Sequence, residues 1–183
     1  MDTREEILAA ARTTAQAHGY GGLSFRELAK QVGIKSASLH YHFPTKGDLA
    51  GALAQRYADD AERIFAEVLA ASKDPAVLVR AFTDVLRLAL VNDNRMCLYG
   101  ILSAERAELA PEVRIEVERF AEVSVRFLAK ALVLSGASED VARARALAMF
   151  AAIEGAQLVA RGRGDVAAYD AILATYRAAG LLP

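Results

Sequence analysis

The chain has 183 residues, 54% of them apolar, with 22 Lys and Arg against 23 Asp and Glu for a formal net charge of −1. That length and apolar share can bury a sizeable core, and the near balance of charge leaves any attraction to a polyanion to local patches. One cysteine excludes an internal disulfide framework and any CxxC metal motif, which fits a reducing cytoplasm. The charged run Asp2 to Glu6 follows Met1, so no signal peptide is expected, and the longest apolar stretch, Ala146 to Ala160, is interrupted by Glu154 and Gln157 and too short to span a membrane.

Alanine, leucine, arginine and glutamate dominate and no run alternates β-branched residues, so the expected fold is all-α. A first helix runs from about Thr3 to His18, with Ile7, Ala11 and Ala15 on one side, and stops at Gly19, Gly21 and Gly22. Ser24, with Glu27 three residues on, has the spacing of a reciprocal capping box for a second helix carrying Leu28, Ala29 and Val32, and Gly33 ends it where a positive φ is needed. Ile34 plugs the corner, Ser36 can cap a third helix, and Leu39 and Phe43, four apart, turn one face inward. Lys35, Ser36, Ala37, Ser38, His40, Tyr41 and His42 are left outside, and Pro44 closes the helix.

Thr45 can cap a fourth helix, with Asp48 in its first turn and Leu49, Leu53, Tyr57, Phe65 and Leu69 along one stripe to about Ala71. At 1.5 Å per residue it is about 40 Å long. Asp74 and Pro75 open a helix to about residue 91, the break Asn92-Asp93-Asn94 follows, and a further helix is expected from Arg95 to about Leu109. Pro111 begins a long helix to about Leu134; Gly136 stops it, and Ser138, Glu139 and Asp140 open the next, to about Arg161. A last helix after Gly164 and Asp165 carries Val166, Tyr169, Ile172, Leu173 and Tyr176 on one face. The count is about nine helices, three in a head and six behind it.

An outer face of small, hydroxylic, aromatic and imidazole groups suits a helix that enters the major groove, because short side chains let its axis approach the base edges. Between residues 24 and 47, Arg26, Lys30, Lys35 and Lys46 stand against Glu27 alone, four positive charges to one negative. His40 and His42 point about 200° apart on a helix and cannot grip one ion. All three histidines lie in the first 50 residues, and neither a GxSxG elbow nor a GxxxxGK loop is present, so no enzyme activity, cofactor or metal is expected. In the penultimate helix Ala144, Ala148, Ala151, Ala152, Gly155 and Gly162 line neighbouring positions, with Leu147, Phe150, Ile153 and Leu158 for apolar area. Such a face either packs on another copy or lies inside the chain, alanine then reflecting helix propensity.

Ala29, Gly33 and the run Leu39-His40-Tyr41-His42-Phe43-Pro44-Thr45-Lys46 resemble the TetR family of transcriptional regulators. The resemblance implies an N-terminal three-helix helix-turn-helix DNA-binding domain, residues 1–46, and a C-terminal helical ligand-binding and dimerisation domain, residues 47–183. The residues that would meet duplex DNA are then Ser24, Arg26, Lys35, Ser36, Ala37, Ser38, His40, Tyr41, His42 and Lys46, with Tyr41 and Lys46 on phosphates. Ala37 and Ser38 stand where many members carry Gly and a Thr or Val, a departure that bears on the operator sequence. TetR-type proteins pair through their last two long helices, which selects the self-pairing reading and names Ala144, Ala148, Ala151, Ala152, Gly155, Leu158, Tyr169, Leu173 and Tyr176.

The fifth to eighth helices would enclose an effector cavity whose filling moves the fourth helix. The inward candidates are Phe82, Leu86, Cys97, Ile101, Phe120, Val123, Phe127, Met149 and Ile153. The implied function is a dimeric cytoplasmic repressor that leaves its double-stranded DNA operator when a small, largely apolar effector binds. Cys97-Leu98-Tyr99-Gly100 with Glu105 resembles a subgroup in which some relatives answer electrophiles or oxidants, so modification or oxidation of Cys97 is the alternative switch. A helical scaffold that binds protein is a third reading, and it predicts no salt-dependent duplex binding.

Overall fold

A computed structural model describes residues 2–183, which form nine α-helices, one short 3₁₀ turn and no strand. The helices are α1 Thr3–His18, α2 Phe25–Val32, α3 Ser36–His42, α4 Lys46–Ala71, α5 Pro75–Val91, α6 Leu98–Ala104, α7 Pro111–Leu134, α8 Glu139–Arg163 and α9 Val166–Ala178.

Local chemistry sets most of these boundaries. Asp2, Asp74 and Asp165 cap α1, α5 and α9 by accepting the backbone N–H two residues on. Gly33 and Gly164 take left-handed backbone at the ends of α2 and α8, a conformation that a Cβ opposes. The expected capping box of α2 does not form. Ser24 occupies the N-cap position without a side-chain bond, and the Glu27 carboxylate pairs with Arg26 at 3.1 Å instead. Ser36 is not a cap either, because Lys35 holds that position and makes no side-chain bond. The reciprocal arrangement appears at α4, where Thr45 Oγ1 accepts from the Asp48 N–H at 3.1 Å and Asp48 Oδ2 accepts from the Thr45 N–H at 2.9 Å.

The sixth helix is shorter than expected. Asp93 and Asn94 adopt positive φ, and the N–H groups of Asn94 and Arg95 turn back onto Leu90 and Ala89. The Cys97 N–H is donated to Gln157 Oε1 at 2.9 Å, outside any helical ladder, so α6 starts only at Leu98. It ends at Ala104, and Arg106–Glu108 form the 3₁₀ turn.

By packing, the chain divides into two compact units, the first ending at Asp59 and completed by Leu98–Phe120, the second made of Asp60–Cys97 and Ala121–Pro183. The packing units therefore cut across the functional division expected at residue 46. The first unit has Ile7, Ala11, Ala15, Leu28, Leu39 and Leu49 fully buried, and Phe120 stacks on Tyr57 and Tyr99 at centroid distances of 4.8 and 5.7 Å. The second unit centres on Phe65, Phe82, Phe127 and Phe150, with Phe65 and Phe127 stacked at 4.3 Å. There Gln157 is buried and bridges two backbones, since its Nε2 donates to Leu86 O at 2.7 Å while its Oε1 holds Cys97. At the surface of the same unit Arg87 grips Asp170 with two 2.8 Å bonds, which lowers the Asp170 pKa and raises that of Arg87.

One glycine of the first unit is fixed by its surroundings. Gly19 ends α1 at φ 74° and ψ −173°, a region essentially closed to other residues, and a Cβ there would run into the Glu105 carboxylate. That carboxylate accepts the N–H of Tyr20, tying the turn after α1 to the segment after α6. Gly19→Ala is expected to destabilise the protein by about 1–3 kcal/mol in chemical denaturation. Adding Glu105→Ala should not restore wild-type stability, because the backbone cost persists and the Tyr20 N–H loses its acceptor.

Candidate nucleic-acid interface

The helix α3 has only seven residues, too few to persist alone in water, so it is held from outside. Leu39 is its one buried side chain, and Phe43 immediately after it is buried as well. With those two turned inward, Lys35, Ser36, Ala37, His40 and Tyr41 are exposed and Ser38 and His42 are half-exposed. Tyr41 stands out at 86% exposure, since an aromatic ring left in water has no packing reason to be there.

Neighbouring side chains brace this face. His40 lies against Phe25 at the start of α2, with ring centroids 4.7 Å apart, and its Nδ1 is 3.4 Å from Pro44 O. His42 meets the Tyr41 ring edge-on at 5.5 Å. The two imidazoles thus go to different neighbours, and no group of His, Cys, Asp and Glu among the described residues has the arrangement of a metal site. Lys46 folds back, with its ammonium 4.3 Å from the centre of the Tyr20 ring and 3.4 Å from Gly21 O, which sets it at the edge of the head. Arg26 is almost fully exposed; its ion pair with Glu27 is a surface pair of small energy and leaves the guanidinium open to an anion. Ser24 is half-buried at the start of α2.

The residues expected around an effector are divided between the two units. Phe82, Leu86, Cys97, Val123, Phe127, Met149 and Ile153 are buried in the second unit, whereas Ile101 and Phe120 belong to the first. Cys97 is 1% exposed. One polar residue of that core, Glu154, was not among the expected site residues, and a second, Tyr169, was expected at the surface that pairs two copies. Both carboxyl oxygens of Glu154 are shut from solvent although its stem reaches the surface, and burial lifts its pKa from 4.5 to about 7, the facing Cys97 thiol pulling the other way. Tyr169 is fully buried and donates to Thr83 O at 3.0 Å; burial raises its hydroxyl well above the usual tyrosine range. An acid at position 154 within a run of alanines and aliphatics was the available signal in the sequence.

On α8 the small residues face outward. Ala144, Ala148, Ala151 and Gly155 are exposed and Ala152 is half-buried, flanked by Leu147 at 60% and Leu158 at 58% exposure. On α9 the expectation needs correction. Tyr169 and Leu173 are buried within the chain, because their four-residue stripe packs inward and the Tyr169 hydroxyl is held by α5, while Tyr176 is half-buried.

Comparison with known proteins decides what this head belongs to. Residues 7–53 match the family described as bacterial regulatory proteins, tetR family, and residues 75–174 match the C-terminal domain of LmrA/YxaF-like transcriptional regulators. The chain belongs to the TetR family of transcriptional regulators. It is 29% identical over 161 residues to the HTH-type transcriptional regulator LmrA of Bacillus subtilis (strain 168), covering 86% of each chain. The crystal structure of a TetR transcriptional regulator from Legionella pneumophila is similar with a TM-score of 0.89 at 29% identity over 94% of each chain. A TetR-family regulator from Agrobacterium tumefaciens gives 0.85 at 31% identity over 93% of each. The all-helical chain thus has the TetR plan, an N-terminal helix-turn-helix and a C-terminal helical domain, and α2 and α3 are the two helices of the motif. No helix of the described residues is long and apolar enough to cross a membrane.

Proposed function

We propose that this TetR-family regulator acts as a homodimeric repressor that binds a two-fold operator through α3 and releases it when a small, largely apolar effector occupies the C-terminal domain. The observation that carries the DNA-reading part is the outward row of α3, which leaves Lys35, Ser36, Ala37 and a nearly bare Tyr41 facing solvent while Leu39 and Phe43 are turned inward. Side chains of that size let a helix axis sit deep in the major groove, and the hydroxyl of Tyr41 and the ammonium of Lys46 lie on its flanks, where phosphates run. The family identity points away from an enzyme.

Self-pairing is supported by the exposed stripe Ala144, Ala148, Ala151, Gly155 and Leu158 on α8, together with Leu147 and Val159. Small residues allow a second backbone to approach, and the leucines supply area to bury. A dimer also sets two heads about 34–36 Å apart, one turn of B-DNA. Leu158→Glu is expected to shift the protein towards monomer in sedimentation experiments and to weaken operator binding with it. For the effector, the coupling requires tighter binding to the DNA-free state, with about 1.4 kcal/mol of preference for each tenfold shift. Burial of Cys97 at 1% exposure gives soluble oxidants no direct access and does not favour the thiol switch.

Gel shifts over a salt series on duplexes from the region upstream of the protein's own gene test the DNA reading. Tyr41→Phe is expected to weaken every duplex about tenfold, the worth of one hydrogen bond to a charged group. Lys46→Ala is expected to flatten the salt slope by about one contact, and Ser38 replacements to change which sequence is preferred. Unchanged affinity in both phosphate-contact variants removes the assignment.

A further inference from the structure

We propose that the outer cleft formed by the end of α4, the end of α7 and the start of α8 binds a soluble single-chain amphiphile with an anionic head, such as a medium-chain carboxylate. The cleft measures about 490 Å³, within the span of about 300–1,000 Å³ usual for small-molecule sites. Its floor is aliphatic, built from Leu69 of α4 and Val125 and Ala129 of α7. Val133 and Leu134 at its margin remain 42% and 45% exposed, apolar area that a hydrocarbon chain would take out of water.

The margin is cationic. Lys73, Arg126, Lys130 and Arg143 line it with Glu139, and Glu62 and Glu122 pair with the two arginines, so the two lysines carry the excess positive charge. Arg126 pairs with Glu62 at 3.2 Å and Arg143 with Glu122 at 3.1 Å, but all four side chains are more than half exposed, and such pairs hold weakly and can be exchanged for a ligand carboxylate. The Lys73 ammonium donates to Leu69 O. Lys130 has no hydrogen-bond or ion-pair partner among the described residues, so it is the cation most ready to receive a head group. A smaller recess of about 150 Å³ shares Leu69, Arg126 and Lys130 with the cleft and is walled by Phe65, Val123 and Phe127, which adds apolar lining beside it. An aliphatic floor under a margin with excess positive charge disfavours cations, and small inorganic anions would leave the floor wet. What remains is an anion with an apolar chain.

None of the residues lining the outer cleft is among those expected around the effector, though Val123 and Phe127 of the adjoining recess are, and the binding is read without DNA, so its failure is distinguishable from failure of the operator reading. Full-length protein is titrated with sodium dodecanoate below its micelle threshold, by calorimetry and by thermal melting. The expected result is saturable binding, one molecule per chain, with a melting temperature that climbs as ligand concentration increases; dodecyltrimethylammonium and dodecanol at equal concentration produce no shift. Lys130→Glu should weaken dodecanoate at least about tenfold while keeping the unliganded melting temperature and the operator affinity. Should Lys130→Glu melt below wild type, Lys130→Ala decides the question through weaker, less salt-dependent binding. Equal responses to the three amphiphiles, or a Lys130 variant that titrates like wild type, overturns the proposal. Association with phosphatidylglycerol vesicles in the absence of dodecanoate binding also overturns it and makes the face a membrane contact.

Discussion

Leu39→Ala is expected to lower the stability of the head by about 3 kcal/mol and to reduce operator affinity by well over tenfold. The size of the first effect follows from burial. Leu39 has 0% exposure, it is the only buried side chain of α3, and truncating a fully buried leucine costs about 2–5 kcal/mol through lost transfer energy and the cavity left behind. The second effect follows from helix length. Seven residues with no side-chain cap at Lys35 cannot hold helical order by themselves, so when the Leu39 contact goes, the outward row loses the rigid geometry that lets it fit a groove. Hydrogen exchange should show the loss directly, with faster exchange across residues 25–43 than in α8. Tyr41→Phe is the control, because that residue is 86% exposed and its loss should touch DNA affinity alone. A Leu39→Ala protein that is destabilised yet binds its operator with unchanged affinity would sink the placement of the reading surface on α3.

Glu154→Gln is expected to stabilise the protein at pH 8 by about 2 kcal/mol, equivalent to about 5 °C in melting temperature for a chain of this size, with the advantage shrinking towards pH 5. In the unfolded chain the carboxyl ionises near 4.5, whereas in the folded protein burial delays ionisation to about 7. Between those values the unfolded state gains from releasing its proton and the folded state does not, so native stability is fully present below about pH 4.5 and declines as the pH rises through about 7. The rise of the pKa corresponds to about 3 kcal/mol, and relaxation around an ionised carboxylate discounts it to the lower figure. The titratable groups around this carboxyl are the Cys97 thiol and the Tyr169 hydroxyl, and neither brings a compensating positive charge. The amide of glutamine keeps the shape without the ionisation. Melting curves of the two proteins from pH 5 to 8 should therefore diverge upwards, and parallel curves would show that Glu154 already finds relief when charged.

The head was legible in residue order because its determinants are local. Gly33 must supply a left-handed turn, Leu39 and Phe43 sit one helical turn apart, and Pro44 stops the helix, so the outward row is defined by a few consecutive positions. The same logic gave α5 its start at Asp74, whose carboxylate reaches the N–H two residues away, as those of Asp2 and Asp165 do at α1 and α9. It also placed the small residues of α8 on one face, which is a matter of helical period alone.

What residue order could not decide was competition between possible partners, whether adjacent or distant along the chain. Glu27 had the spacing of a capping residue and took Arg26 instead, because an exposed carboxylate is free to choose among neighbours of similar energy. The Cys97 N–H had a helical future in the sequence, but Gln157, 60 positions later, accepts it and delays α6. Tyr169 and Leu173 turned inward because Thr83 offers an acceptor that no local pattern reveals. Patterns within one or two helical turns fix which residues are helical and which side they show. Only the packed chain fixes which of several chemically equivalent groups a buried amide, hydroxyl or carboxylate meets, since that depends on what the fold carries into reach.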